Sequence, residues 1–390
     1  MPILNRAAEL QDEVAEWRRH IHRHPELGYE EHQTSAFVAE KLREFGCDEV
    51  VTGMGKTGVV GLIRGSRGEG PAIGLRADMD ALPITELSGK PYSSSVPGKM
   101  HACGHDGHSA ILRGAAKYLA ETRNFAGSVA VIFQPAEEGG GGGLAMVQDG
   151  LMERFGIQQV YGMHNLPGRP VGHFALRPGA IMAATAEFTV KVTGKGGHAA
   201  MPHDTVDPIV AASQMVAALQ TITSRSLDPV ASLVVSVTKF NAGHAYNVIP
   251  DTAEFAGTIR SLDDAVGALA RERLTAICQG IAAAAGAMVE IDIDVNYPVT
   301  FNHEAESALA LSVAAGISGA EAADGDLPPM MGGEDFSYML QKRPGAMIFL
   351  GNGDSAALHN PAYDFNDEII PTGISYWVKL AETTLPARTG

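Results

Sequence analysis

Residues 100–109 read MHACGHDGHS, which packs three histidines, a cysteine and an aspartate into ten positions. In an extended segment, side chains two apart project to the same side, so Cys103 converges with His105 or, by the same parity, with His101. Thiolate and imidazole together suit Zn²⁺ and other borderline first-row divalent metals. A second run, VIFQPAEEGGGGG, reads as a strand ending at Phe133 and a turn at Pro135. The adjacent Glu137 and Glu138 follow, before glycines that let backbone approach a ligand closely. Neighbouring carboxylates disfavour each other's ionised form unless positive charge lies near them. A metal supplies that charge, so one glutamate can bind it while the other stays free to shuttle protons. His164 follows QQVYGM, and His359 stands in ALHNPAYDF shortly after AMIFLG. Both fall at expected strand ends, where the active sites of open α/β sheets gather. His20, His22 and His24 form H-x-H-x-H, but on a helix residues two apart do not face one ion. They read as cations at a helix end, favoured there by the dipole.

The elements that must position these residues alternate along the chain. Ala7, Leu10, Val14, Trp17 and Ile21 keep helical spacing up to Pro25, and SAFVAEKLREFG predicts a second helix with Gly46 as its C-cap. GVVGLI, AIGLRA, SVAVIF and QQVYGMH read as strands, with SAILRGAAKYLAET as a helix among them. This order predicts an α/β domain with a largely parallel sheet covered on both faces. From residue 183 the pattern changes: EFTVKVTG alternates strictly, and strand–helix–strand–strand–helix–strand follows as far as MVEIDIDV. That succession is a split βαβ, ferredoxin-like unit. The chain is therefore expected to divide into 1–182 and 296–390, the two parts of a catalytic domain, with 183–295 inserted between them.

With 390 residues, 45% of them hydrophobic and 19% charged, the sequence describes a globular protein of two domains. A formal net charge of −16 excludes a general nucleic-acid surface, which needs clustered Lys and Arg. No apolar run is long enough to span a bilayer, so no membrane role is expected. The opening MPILNRAAELQDEVAEW lacks signal-peptide features. Cys47, Cys103 and Cys278 are odd in number and far apart, which is no disulfide framework. A reducing cytoplasm is the expected location.

Seven segments, HACGHDGH, QPAEEGGGG, MHN, GKGGHAAMPH, NVIPDTAEFAGTIR, GGEDFS and LHNPAYDF, resemble in this order the metal-dependent amidohydrolases of the aminoacylase and carboxypeptidase superfamily. The narrower likeness is to the branch of hippurate hydrolase, N-acyl-amino-acid deacylases and plant auxin-conjugate hydrolases. It runs from RRHIHRHPELGYEE almost to the C-terminus. The resemblance implies a metallo-exopeptidase-like catalytic domain carrying an inserted lid and dimerisation domain. It implies two divalent ions per subunit, Zn, Mn, Co or Ni, held by Cys103, His105, Glu138, His164 and His359, with Glu137 as general base. His101 and His108 match the motif, and the resemblance implies that they are not ligands. Other branches place a histidine ligand in a GHxD strand, whereas LRADMDALP puts Asp78 there, with an expected role in orienting a ligand. His198 is implied to reach the partner subunit's site and polarise the scissile carbonyl. Asn247 and Arg260 are implied to contact substrate, Arg260 being suited to gripping a carboxylate. The expected reaction is hydrolysis of an N-acyl amino acid to a carboxylic acid and a free amino acid, in a homodimer or dimer-based oligomer. A metallo-carboxypeptidase or dipeptidase is the alternative on the same scaffold.

Overall fold

The structure, a computed structural model, describes residues 3–387. The chain forms two compact units. The first comprises residues 3–181, 300–328 and 335–387, and the second residues 182–299 with 329–334. The sequence reading left residues 182, 296–299 and 329–334 in the catalytic domain; the most distant of these in the chain is the segment 329–334. It joins the second unit through a bridge between Met182 and Met330 and a hydrogen bond of 2.9 Å from Ala183 N to Gly332 O.

In the first unit eight strands make one sheet, ordered Glu49–Met54, Gly58–Arg64, Ser128–Gln134, Ala72–Asp78, Ile157–Pro167, Gly345–Gly353, Phe174–Ala175, Ala323–Asp324. The four central strands run parallel, while the Glu49–Met54 and Gly58–Arg64 strands pair antiparallel at one edge. Ala72–Asp78 and Gly345–Gly353 are buried along their whole length, which is why their AIGL and GAMIFLG stretches are apolar without alternation. Helices Gln11–Arg23, His105–Thr122 and Ile370–Thr384 pack on one another beside this sheet. The N-terminal helical pattern is broken at Leu10 into Asn5–Glu9 and Gln11–Arg23, although the Leu10 amide still bonds Arg6 O.

His22 is not a helix-end surface cation. It is buried, with Nδ1 2.8 Å from Asp106 and Nε2 3.3 Å from Glu86. Arg18, one turn earlier, is fully buried and binds Asp367 through Nε at 2.8 Å. The polar face of this helix is thus an internal one, because Asp106 and Asp367 come from elements that cover it.

The second unit is a four-stranded antiparallel sheet ordered Leu233–Ala242, Thr252–Ser261, Ala184–Thr193, Met288–Tyr297. With helices Pro208–Thr221 and Asp264–Ala285 it has the ferredoxin-like topology. Phe188, Val190 and Val192 meet Met215, Leu219, Phe255 and Leu274 in its core. Asp207 and Asp263 cap the two helices, each accepting two amide hydrogen bonds of 2.8–3.3 Å, and Gly286 (φ 71°) ends the second. Among the described residues no helix is long and apolar enough to cross a membrane.

Candidate metal centre

Cys103 and His105 converge by a different route from the extended segment that the sequence suggests. Cys103 lies in a turn, Gly104 is left-handed (φ 92°), and His105 opens the buried helix His105–Thr122. A side chain at 104 is excluded, since its Cβ would lie 2.4 Å from Asn165 Oδ1. His164 is inside the Ile157–Pro167 strand and not at its end, paired in register with Phe349. Glu137 and Glu138 occupy a turn after Gln134 ends its strand. His359 sits in the loop beyond Gly345–Gly353, in a left-handed conformation (φ 62°), with its amide bonded to Ala102 O at 2.8 Å.

These segments bring all five candidate ligands and Glu137 into one cluster. One donor atom each from Cys103, His105 and His164 lies within 4.8 Å of the others, as do those of Cys103, Glu138 and His359, and of His105, Glu137 and Glu138. Cys103 Sγ is 3.5 Å from His164 Nε2, and His359 Nε2 is 3.1 Å from Glu138 Oε1.

The residues fit a divalent cation. His105 donates Nδ1–H to Asp80 O at 2.9 Å, with Asp80 Oδ1 at 3.2 Å, so its other nitrogen is left for the cluster. That Nε2 is buried without a hydrogen-bond partner, a costly arrangement unless something binds it. His164 is fixed alike, Nδ1–H donating to Asn165 O at 2.7 Å and Nε2 turning to Cys103. Carbonyl and carboxylate partners on the far nitrogen are how metal-binding imidazoles are held. Burial and the nearby His108 keep His164 well below the ordinary imidazole value, and burial drives the Cys103 thiol well above its own. Burial also opposes a charge on His105, but Asp78, Cys103 and Asp80 outweigh it and raise that imidazole. Such accumulated negative charge is what a cation relieves.

Asp78 stands beside the candidate ligand His105 without a hydrogen bond to it. It accepts from His108 Nδ1–H at 2.6 Å and from Arg76 at 2.7 Å, and stands 3.8 Å from His105 Nε2. Burial would raise its carboxyl, yet His105, Arg76 and His108 hold it well below the usual carboxylate range. The residue that orients a candidate ligand is Asp80, which also accepts from Glu138 N at 2.9 Å. Sequence reasoning passed over it, although LRADMDALP carries a second carboxylate two residues after Asp78. His101 is buried with neither ring nitrogen hydrogen-bonded and belongs to none of these groups.

The other three candidates belong to the second unit. Gly197–His198 pairs with Val248–Ile249, His198 is exposed, and its Nδ1 accepts from Ala200 N at 3.1 Å. Asn247 adjoins it, its carbonyl accepting from Ala199 N at 3.0 Å. Arg260 is apart from both, in the four-stranded sheet between Thr185 and Val234, and donates to Ile259 O at 3.1 Å.

Peptidase family M20/M25/M40 matches residues 74–383. The chain is 44% identical over 381 residues to a hippurate hydrolase of Campylobacter jejuni, covering 98% of this chain and 99% of that protein. It is 42% identical over 362 residues to an N-acetyl-L-cysteine deacetylase of Bacillus subtilis, covering 93% and 85%. The crystal structure of a dinuclear metal-binding peptidase of the M20 family from Bacillus subtilis superposes with a TM-score of 0.84 at 33% identity, covering 98% of this chain and 100% of that one.

Proposed function

The chain belongs to peptidase family M20/M25/M40, and from that premise we propose that it hydrolyses the amide bond of N-acyl amino acids with Glu137 as general base. The observation that carries this reading is the convergence of Cys103, His105, Glu138, His164 and His359 in overlapping groups of three, the donor atoms of each group within 4.8 Å of one another, with Glu137 in one of these groups. The relatives named for hippurate and N-acetyl-L-cysteine support the substrate class.

Cys103, His105, Glu138, His164 and His359 would hold two divalent ions, which when bound polarise the amide carbonyl and acidify water. Glu137 takes a proton from the attacking water as its oxygen bonds to the carbonyl carbon. The same carboxyl then returns that proton to the leaving nitrogen as the C–N bond breaks, giving a carboxylic acid and a free amino acid. Glu137 is buried, which keeps its proton from exchanging with bulk water during the step. The second unit acts as a lid and dimerisation domain in a homodimer. His198 donates to the developing oxyanion in the partner's site, Asn247 contacts the substrate, and Arg260 grips its carboxylate. Exposed Tyr246 and Val248 beside His198 supply apolar surface for a second copy to cover. The three cysteines are free, so a reducing cytoplasm keeps Cys103 available as a ligand.

A panel of N-benzoylglycine, N-acetyl amino acids and dipeptides, assayed after chelation and readdition of each metal, tests the reading. Acyl amino acids should turn over fastest and only with metal restored. Faster cleavage of dipeptides would replace the proposal with the peptidase alternative.

A further inference from the structure

The segment PELGYEE, residues 25–31, has no part in the chemistry described so far, yet it lies against the turn that carries Glu137. Glu31 is fully buried, and its Oε1 accepts from the Ala136 amide at 2.8 Å while Oε2 accepts from the Thr57 hydroxyl at 2.6 Å. Ala136 is left-handed (φ 51°), a conformation that an alanine holds only when its surroundings enforce it. Gly28 backs the same residue so closely that a Cβ there would meet Ala136 Cβ at 3.0 Å. On the far side the turn is closed by Gly142 N bonding Ala136 O at 3.1 Å, and the Tyr29 hydroxyl donates to Gly140 O at 2.8 Å. A buried carboxylate is costly to retain for packing alone, because it must be desolvated. Here both its oxygens are used, one of them on the amide N–H of the residue immediately before the base.

We infer that Glu31 is a positioning residue for Glu137: its carboxylate holds the Ala136 peptide in the left-handed turn that aims the base. This rests on the reading of Glu137 as the base. The aim matters because a displacement near 1 Å at a reacting group costs on the order of 10²-fold in rate.

The test compares Glu31→Ala, Glu31→Gln, Gly28→Ala and Glu137→Gln in the full chain loaded with metal. The readouts are kcat, KM, metal content per chain and the acid limb of the pH profile on N-benzoylglycine or the best acyl amino acid of the panel. Glu31→Ala should lose kcat on the order of 10²-fold, with KM and metal content held and the acid limb displaced. Glu31→Gln should recover most of the rate and the limb. Its amide oxygen still accepts from Ala136 N while its NH₂ donates to Thr57 Oγ, which accepts as well as donates. Gly28→Ala should depress kcat with the carboxylate intact, by pressing on Ala136 from behind. A wild-type kcat and acid limb in Glu31→Ala overturns the inference, as does a rate loss matched by loss of metal. If Glu31→Ala does not fold, Gly28→Ala decides, and a wild-type kcat there overturns it equally. Full turnover by Glu137→Gln retires the base and its positioning together. A dead Glu137→Gln beside an unimpaired Glu31→Ala retires the positioning alone.

Discussion

A single imidazole shows how the centre is set. His105 has one nitrogen on the Asp80 carbonyl and the other buried without a partner, so Asp80 decides which lone pair the cluster receives. The Asp80 carboxylate adds a second hold, reaching His105 Nδ1 at 3.2 Å and Glu138 N at 2.9 Å, and so fixes two candidate ligands at once. Asp80→Ala keeps the carbonyl but frees the Glu138 turn, and metal affinity should fall by about 10–100-fold. Competition with a chromophoric chelator measures this, and an unchanged dissociation constant would detach Asp80 from the centre. The candidate donors were legible by type, because thiol, imidazole and paired carboxylates announce their chemistry, but the choice of His105 over His101 came only from the family resemblance. Their supports were not legible. Asp78 and Asp80 look equivalent in LRADMDALP, and only the chain's departure from the Ala72–Asp78 strand sends one to His108 and the other to His105. Nothing in PELGYEE marks Glu31, and only the bond to the Ala136 amide shows what it holds.

Helix Gln11–Arg23 is fastened to the first turn of His105–Thr122 by charge as well as by packing. Burial alone would lower His22, but Asp106 and Glu86 raise it to about 9. A folded-state value above the ordinary imidazole value means that the folded form binds the proton more tightly. The stabilisation is therefore complete below a pH of about 6.5 and is lost as the pH rises through about 9. Wild type should exceed His22→Leu in unfolding free energy by on the order of 2–3 kcal/mol more at pH 6 than at pH 10. Denaturant melts of both proteins at the two pH values check this, and a gap that does not narrow would mean that His22 is not charged when folded. This link was invisible in H-x-H-x-H, since helical spacing tells which residues share a face but not what will cover it. Longer elements were readable for the opposite reason: strict alternation in EFTVKVTG marks its strand locally. Phe174–Ala175 and Gly197–His198 are two residues long and carry no period to read.

For the whole molecule, the division of labour between the two units makes a prediction that neither unit makes alone. Glu137 and the five candidate ligands belong to the first unit and His198 to the second. If His198 serves the partner's site, the functional set is completed only by two chains, and a defect in one chain is separable from a defect in the other. His198→Ala and Glu137→Gln homodimers should each be nearly inactive. Mixed under conditions that exchange subunits, they form dimers in which one site is doubly damaged. The other pairs an intact Glu137 with the intact His198 contributed by its neighbour. Random exchange of equal amounts makes half of the dimers mixed, each with one working site of two, so activity should return to about a quarter of wild type. A histidine acting within its own chain gives no recovery, because each mixed dimer then holds one site without His198 and one without Glu137. Recovery that follows the rate of subunit exchange, read by mass spectrometry of differently labelled chains, separates complementation from contamination by wild type. Its absence in demonstrably mixed dimers would return His198 to its own subunit.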